Sequence, residues 1–190
     1  MARGLFLSLA GLEVIRFRAS RALIGEERAL LGLSERLARR PGYVGLYLRA
    51  ATYRLVLEDS ASDVHIGFGT VFSKRAATLG DHVYIGRYCS IGWVQLERDV
   101  MLADLVTIPS GADTHVVDAT TRTAPRHREN QFRPVRVGEG TWVGSQAVLL
   151  ASVGQFCVIG AGAVVTESIP DYSIAVGVPA RIVGSTLAPK

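Results

Sequence analysis

The sequence predicts a mainly β protein, a solenoid of short parallel strands preceded by a helical segment. Three observations predict it: a period of six residues between Val64 and Val165, small or branched residues two positions before most of the repeated aliphatics, and a glycine after many of them. A helix repeats every ~3.6 residues and an amphipathic strand every ~2, so neither explains this period. A solenoid does, because each unit is one strand and one turn whose aliphatic side chain points inward.

The residues before the repeat, 1–58, are predicted to form helices. Pro41-Gly42 separates a helical run at Ala29–Arg40 from another between Tyr43 and Leu57. Ahead of them, apolar residues at helical spacing indicate a first helix: Leu5, Leu9, Leu12 and Ile15–Phe17. We expect helices in this position to cap the open first coil of the solenoid.

The repeated aliphatics define the inward side of the solenoid. They are Ile66 and Phe72; Leu79, Ile85 and Ile91; Leu96, Leu102 and Ile108; Val143 and Leu149; and Val153, Ile159 and Val165. The register gains one residue between Phe72 and Leu79 and loses one between Ile91 and Leu96. Residues 110–134 are polar and contain no repeat, so we expect an extended loop there, and such loops commonly carry function.

These patterns divide the chain into a helical N-terminal segment at 1–58, a β-helix at 59–184 and a C-terminal tail at 185–190. Residues 1–58 contain ten arginines and five glutamates, so the chain's net charge of +4 has its basic excess there. A basic helical segment favours attraction to an anionic membrane surface or lipid-linked glycan. The simpler interpretation is a solvated helical surface. The apolar run at the start is too short to span a bilayer, and no nucleic-acid partner is expected.

The two cysteines, Cys89 and Cys157, both fall at positions predicted to face inward. Two isolated cysteines make no disulfide framework. We therefore expect them to act as small buried hydrophobes in a reducing cytoplasm.

Four segments occur in order along the second half of the chain: SGADTHVVD, RPVRVGEGTWVG, VIGAGAVVTESIP and GVPARIV. Together with the six-residue period, they resemble the hexapeptide-repeat acyltransferases. Within that family they are similar to the branch of maltose, galactoside and xenobiotic acetyltransferases and polysaccharide O-acetyltransferases. The resemblance covers residues from about 64 to 184. It implies a left-handed parallel β-helix with three repeats in each triangular coil.

His115, in DTHVVD, matches the catalytic position of this family. Transfer of an acetyl group to an alcohol requires the alcohol to lose a proton, and a neutral imidazole with a pKa near ~6.5 is suited to accept it. Asp118 and Asp113 are candidates for orienting the imidazole through its other nitrogen.

No metal site is expected. A carbonic anhydrase, which can share the repeat, needs three histidines converging on a metal, and His115 and His127 lack the close spacing of that branch. His127 is a candidate for substrate contact. His65 and His82 are expected to be surface residues.

The resemblance also implies where acetyl-CoA binds. The cofactor-binding candidates are Ser145 and Ala161 along the pantetheine, Thr166 and Arg181 near the nucleotide, and Trp142. Trp142 is predicted to point outward, so it either packs on a neighbouring subunit or covers a ligand. The family often has lysine where this chain has Glu167, which removes a cation near the phosphates.

These residues predict a coenzyme A-dependent O-acetyltransferase that transfers an acetyl group to a sugar hydroxyl in surface polysaccharide biosynthesis. Backbone amides are expected to stabilise the oxyanion. The alternatives are an N-acyltransferase on a sugar-nucleotide amine, an acetyltransferase of a small molecule such as serine or an antibiotic, and a non-catalytic β-helical subunit of a larger assembly.

A homotrimer is expected, with each active site between two subunits, as the resemblance implies. The outward residues Val148, Leu150 and Val164 are apolar, and an exposed apolar stripe favours association. The expected location is the cytoplasm, with peripheral contact at the inner membrane face through residues 1–58.

Overall fold

The computed structural model describes residues 2–111 and 132–187, with side chains from Ser8 onward. Within these residues, three helices precede sixteen short strands. The helices are α1 (Ala2–Ile24), α2 (Glu26–Ala38) and α3 (Gly42–Val56). The strands are β1 (Asp59–Ser60), β2 (His65–Ile66), β3 (Val71–Phe72), β4 (Thr78–Leu79), β5 (Tyr84–Ile85), β6 (Ser90–Ile91), β7 (Val94–Leu96), β8 (Met101–Leu102), β9 (Thr107–Ile108), β10 (Val135–Val137), β11 (Trp142–Val143), β12 (Val148–Leu149), β13 (Val158–Ile159), β14 (Val164–Val165), β15 (Ser173–Val176) and β16 (Arg181–Ser185).

Three parallel sheets form the faces of a triangular prism. The first face is β1-β4-β7-β10, the second is β2-β5-β8-β11-β13-β15 with β16 at its edge, and the third is β3-β6-β9-β12-β14. The chain visits the faces in this order in every coil, so each residue is stacked on its equivalent in the next coil. Val153 and Ile169 continue the first face as isolated bridges.

The core of the prism is a column of the repeated aliphatics, which confirms the prediction from the six-residue period. Every one of these side chains is at most 2% exposed: Ile66, Phe72, Leu79, Ile85, Ile91, Leu96, Leu102, Ile108, Val143, Leu149, Val153, Ile159 and Val165. Their alternating neighbours, such as Tyr84 and Trp142, face outward. Because each coil is only a few residues around, stacking supplies the buried area that one coil lacks.

The corners of the prism are tight turns in which successive coils approach closely. At Gly144, a Cβ atom would lie 2.6 Å from the backbone nitrogen of Ala161 in the next coil. At Gly67, it would lie 2.3 Å from the carbonyl oxygen of Gly86. No side chain fits at either distance, which explains the glycine that follows many of the repeated aliphatics.

The helices α2 and α3 cover the open edge of the first coil, as expected. On β3, the backbone N–H of Phe72 donates to Ser34 Oγ at 2.9 Å, and that hydroxyl donates to the Phe72 carbonyl at 3.0 Å. On β2, Arg49 Nε donates to the Ile66 carbonyl at 2.8 Å. The N–H of Gly69 donates to the last carbonyl of α2, at Ala38, at 3.1 Å. These contacts satisfy edge groups that would otherwise pair with another chain.

The inward side of α1 differs from the predicted stripe. The structure buries Ala10, Val14 and Phe17, whereas Leu9, Leu12 and Ile15 face outward and are 42–65% exposed. The helix predicted from these residues is confirmed as α1, but Phe17 alone among their described apolar side chains packs inward.

Glu13 explains the side that α1 buries. It is 5% exposed and lies on the inner side of the helix, where Arg16 and Arg36 reach its carboxylate at 3.0 and 3.4 Å. A buried carboxylate needs such partners; Arg16 comes from α1 itself and Arg36 from α2, which packs against it. The inner side was missed because a charged residue interrupts its apolar pattern.

The last coil ends in an antiparallel hairpin. β15 continues the second face, and β16 turns back along it after a turn at 177–180 that contains a cis peptide bond before Pro179. The division into segments at 1–58, 59–184 and 185–190 stays a prediction about domain organisation. None of the helices in the described part of the chain is both long and apolar enough to cross a bilayer.

Candidate functional site

The two ends of the extended loop predicted at 110–134 are hydrogen-bonded to each other where they join the solenoid. We call this junction the neck of the loop. The backbone N–H of Arg133 donates to the carbonyl of Ser110 at 2.9 Å, and the N–H of Val135 donates to the carbonyl of Trp93 at 3.0 Å. Gly111 has a φ of +92°, a left-handed conformation that glycine adopts without strain. The neck lies at the corner where the chain turns from the third face to the first.

A cavity of about 490 Å³ opens beside this neck, between α2 and the third face. Arg28 and Leu31 of α2 line one side, and Ser90 and Thr107 of the third face line the other. Phe132 closes it at the neck. The volume is that of an ordinary small-molecule site, and the serine and threonine hydroxyls offer hydrogen bonds to a polar ligand.

Lys74 places a positively charged group at the edge of this cavity. Its ammonium group pairs with the carboxylate of Glu27 on α2 and lies 3.7 Å from the ring centroid of Phe132. The lysine side chain is 17% exposed, so the cation–π contact is partly shielded from water. The contact joins the cap, the first coil and the end of the loop at one point.

The predicted pantetheine positions lie together at another corner. Ser145 and Ala161 occupy equivalent places in successive coils between the second and third faces, and the N–H of Gly162 donates to the Ser145 carbonyl at 2.8 Å. Gly177 is level with them in the next coil, since Val164 donates to its carbonyl at 3.0 Å. The result is a ladder of small residues along which an extended chain can lie.

Thr166 and Arg181 lie on either side of the third face at its last coil. Thr166 follows β14 and is exposed at the corner toward the first face. Arg181 begins β16, directly after the turn at 177–180, and its Nη1 donates to the Ala180 carbonyl at 2.9 Å. Glu167, beside Thr166, is exposed as well. The third face thus runs between the predicted pantetheine corner and the predicted nucleotide position at Thr166.

Trp142 lies apart from the third face. It is on β11 of the second face, 50% exposed, between Met101 of β8 and Val158 of β13. The structure confirms that its side chain points outward. Its two interpretations, packing on a neighbouring subunit and covering a ligand, stay predictions.

The proposed catalytic group and its orienting residues lie outside the described residues. These are His115, Asp113 and Asp118, and the loop histidine His127 lies there too. Their roles stay predictions. The structure places only the two ends of the segment that carries them, at Gly111 and Phe132.

The two histidines of the early coils have different surroundings. His82 is exposed, as expected, with its ring nitrogens 2.9 and 3.0 Å from the carboxylates of Asp63 and Asp99. His65 is half-buried rather than a plain surface residue, and its ring stacks on Tyr84 at a centroid distance of 4.4 Å. Burial and the nearby Arg49 cation lower the pKa of His65 below its ordinary value, so the neutral ring is favoured.

Both cysteines are free and buried, which confirms the prediction for Cys89 and Cys157. Burial is the main cause that raises the pKa of each thiol. A thiol with a raised pKa is a poor nucleophile, so neither side chain is suited to carry an acyl group. In the described residues, no group of three or more histidine, cysteine or carboxylate side chains could hold a metal ion.

No protein-family model matches the chain. Two curated relatives are acetyltransferases by name. The probable acetyltransferase Rv3034c of Mycobacterium tuberculosis is 36% identical over 141 residues, which are 70% of this chain and 46% of that protein. WbbJ of Escherichia coli, by its name an O-acetyl transferase of lipopolysaccharide biosynthesis, is 30% identical over 123 residues, which are 62% of this chain and 61% of that protein. The chain thus spans less than two thirds of either relative.

Two solved structures share the fold. A maltose O-acetyltransferase from Clostridium difficile superimposes with a TM-score of 0.72 and 21% identity, over 87% of this chain and 89% of that one. A galactoside acetyltransferase in complex with coenzyme A has a TM-score of 0.62 and 20% identity, over 85% of this chain and 79% of that one. At these identities the likeness shows the fold alone.

The chain therefore has the fold of the hexapeptide-repeat acetyltransferases, the left-handed parallel β-helix, as predicted. Its relation to acetyltransferases, predicted from the four ordered segments, is confirmed as well. Sequence reasoning missed the cavity residues that α2 contributes, such as Arg28 and Leu31, and above all Lys74 of the first coil. Its one signal was the extra residue between Phe72 and Leu79, which lengthens the corner where Lys74 lies.

Proposed function

We propose that the chain is an acetyl-CoA-dependent O-acetyltransferase whose acceptor is a sugar hydroxyl of a surface polysaccharide or its precursor. The relation to acetyltransferases supports the reaction class, and the name of the Escherichia coli relative supports a glycan acceptor. The fold shared with the maltose and galactoside enzymes agrees with a sugar substrate.

The observation that carries this proposal is the position of the loop neck beside the cavity under α2. His115 follows Gly111 by four residues, so the covalent chain alone keeps the two within about 14 Å in any conformation. The cavity walls include no histidine among the described residues, and the carboxylate of Glu27 is paired with Lys74. A general base for an acceptor held in this cavity has to come from elsewhere, and the loop is the nearest source.

In the proposed reaction, the acceptor hydroxyl lies in the cavity and gives its proton to the neutral imidazole of His115 as its oxygen attacks the thioester carbonyl. The tetrahedral intermediate collapses, the bond from carbon to sulfur breaks, and the thiolate of coenzyme A leaves. The imidazolium then returns the proton to that sulfur. Backbone amides at the site stabilise the oxyanion.

For the donor, we propose that the pantetheine lies along Ser145 and Ala161 and that the nucleotide end lies near Thr166 and Arg181. The small residues leave room for an extended chain, and Arg181 supplies a guanidinium for a phosphate. Glu167 adds a negative charge beside Thr166, so we expect weaker phosphate binding than a lysine would give.

The assembly and the location belong to the same proposal. We propose a homotrimer, a cytoplasmic location and peripheral membrane contact through residues 1–58. Exposed apolar side chains support association: Met101 and Trp142 on the second face, and Leu12 and Ile15 on α1. Val148, Leu150 and Val164 are half-buried and contribute less exposed apolar surface than the sequence pattern predicts.

The test measures thiol release from acetyl-CoA with a panel of glycan, sugar and amino-sugar acceptors. His115→Ala is expected to lower the rate by ~10²–10⁴-fold, because a general base contributes about that much. Coenzyme A affinity is expected to stay the same, since the imidazole is proposed to act on the acceptor.

His82→Ala is the matched control, because it removes an exposed histidine on a different corner of the prism. Equal rates for His115→Ala and the parent would contradict the role of His115. Activity on amino-sugar nucleotides without activity on any hydroxyl would favour the N-acyltransferase alternative. Failure to bind coenzyme A would leave the non-catalytic subunit as the better interpretation.

A further inference from the structure

A second cavity, of about 460 Å³, lies between the start of α3 and the first two coils. It opens at the corner between the second and third faces, where Arg87 and Tyr88 line it. His65 and Tyr84 of the second face form another wall. The mechanism proposed above uses none of these residues.

A buried arginine lies at this cavity. Arg49 is 2% exposed, and its guanidinium donates to three backbone carbonyls: Nε to Ile66 at 2.8 Å, and Nη1 to Leu37 at 3.2 Å and Arg40 at 2.7 Å. These three acceptors are uncharged, and in the described part of the chain no carboxylate forms an ion pair with the guanidinium. A buried charge without a counter-ion is costly, and an anion in the adjacent cavity would supply one.

The start of α3 adds a second, independent feature. The helix begins at Gly42, and its N-cap residue, Pro41, makes no side-chain hydrogen bond to the free backbone donors of the first turn. Pro41, Gly42 and Tyr43 line the cavity, so these donors and the positive end of the helix dipole lie beside it. An uncapped helix start of this length is a favourable position for a phosphate or carboxylate.

The net charge of the lining is positive. Arg49 and Arg87 are cations, none of the lining residues is acidic, and His65 has a pKa lowered by burial and by Arg49. Arg87 is exposed, and its hydrogen bonds in the described residues involve its backbone: the N–H donates to Asp104 Oδ1 at 2.7 Å, and the carbonyl accepts from the Leu105 N–H at 2.8 Å. Its guanidinium is therefore available to a ligand in a bidentate geometry.

The remaining walls are aromatic. Tyr84 stacks on His65 at a centroid distance of 4.4 Å, and Tyr88 meets Phe68 edge to face at 5.6 Å. Tyr43, at the helix start, is 79% exposed. Flat rings with hydroxyl groups at their tips suit a ligand that has an apolar ring face and a polar edge.

We propose that this cavity binds the anionic group of a sugar, a phosphate or a carboxylate, between Arg49, Arg87 and the start of α3, with the sugar ring against Tyr84 and Tyr88. The choice of a sugar rests on the proposed function; the anion site rests on the cavity itself. Tyr88 lies in the turn two residues before Ser90 of the first cavity, so the covalent chain keeps the two Cα atoms within about 7 Å. A glycan of more than one unit can occupy both cavities.

The test is direct binding without acetyl-CoA, so that its outcome is independent of acetyl transfer. Isothermal titration with galactose 1-phosphate, galacturonate and galactose compares a phosphate, a carboxylate and no charge on one ring. The two charged sugars are expected to bind, galactose to bind at least ~10-fold more weakly, and added salt to weaken only the charged ones. The charged sugar that binds with the higher affinity shows whether the site prefers a phosphate or a carboxylate.

Arg87→Ala is expected to weaken the charged probes by ~10- to 100-fold, the range for one charge-assisted hydrogen bond. This variant keeps the backbone bond to Asp104. Arg54→Ala is the matched control, since it removes an exposed arginine of the same region that does not line the cavity. Three outcomes would each overturn the proposal. They are equal binding of galactose and galactose 1-phosphate, unchanged affinity of the charged probes for Arg87→Ala, and no binding of either charged probe at millimolar concentration. Acetyl transfer that persists in any of these cases leaves the proposed function standing.

Discussion

Ser34→Ala tests how the helical cap is held on the solenoid. Ser34 is fully buried in α2, and its hydroxyl makes three hydrogen bonds. It donates to the Phe72 carbonyl at 3.0 Å and accepts from the Phe72 N–H at 2.9 Å. Because its only hydrogen is used by the carbonyl, the Tyr53 hydroxyl, 2.6 Å away, is the donor of the third. A hydroxyl offers one donor and two acceptor sites, so Ser34 is fully satisfied.

The magnitude follows from the groups that alanine leaves behind. The Phe72 N–H, the Phe72 carbonyl and the Tyr53 hydroxyl would each be buried without this partner, at a cost of ~1–3 kcal/mol per group. With partial relaxation we expect a total loss of ~3–5 kcal/mol in the free energy of unfolding. This is a large fraction of the ~5–15 kcal/mol of a typical domain. For a chain of this length, it corresponds to a fall in melting temperature of about 6–20 °C.

The assay is urea unfolding followed by circular dichroism, with the slope against urea checked for constancy. Ser62→Ala is the matched control, because Ser62 is exposed in a turn of the first coil. Thr52→Val is a second one: its Oγ1 is buried and has no partner among the described residues, so its removal is expected to be neutral or stabilising. A loss below ~1 kcal/mol in Ser34→Ala would refute the reasoning that these three bonds hold the cap.

Two further predictions concern pH and assembly. Burial raises the pKa of Tyr53 above its ordinary value, so the folded chain keeps a proton that the unfolded chain releases above about pH 10. The free energy of unfolding is therefore expected to fall as pH rises past 10, by up to ~1.4 kcal/mol per pH unit. In Tyr53→Phe, unfolding free energies measured with urea at several pH values should depend less steeply on pH. Sedimentation is expected to give three times the chain mass of 20.4 kDa, and a monomeric mass at micromolar concentration would contradict the trimer.

The solenoid could be predicted from the sequence because its core is a local pattern. Each inward residue, such as Ile85 or Val143, is repeated at a fixed spacing, and the neighbour that it packs on is its own equivalent in the next coil. One period then specifies both secondary structure and packing. The glycines at Gly67 and Gly144 agree with it, since close approach of coils at the corner is part of the same repeat.

The cap and the cavities could not be predicted in the same way. The packing side of α1 includes a buried carboxylate, Glu13, whose partners Arg16 and Arg36 lie on two different helices. Arg49 and Lys74 read as ordinary basic residues in the sequence, and only the contact between α3, α2 and the first coil gives them their surroundings. Such groups are brought together by tertiary structure, and no short spacing marks them.

The two ends of the prism also limit what the repeat can build. A stack of coils with free edges could add further copies of itself indefinitely, as fibrils do. Here Ser34 and Arg49 occupy the edge groups of the first coil, and β16, running antiparallel, lies against the last strand of the second face. Chain elements that lack the six-residue period therefore occupy edge groups of the first coil and the edge of the second face at the last coil. Both cavities lie where the helices that cover the first coil meet the solenoid, so the segments that satisfy its edge also form two ligand-sized surfaces.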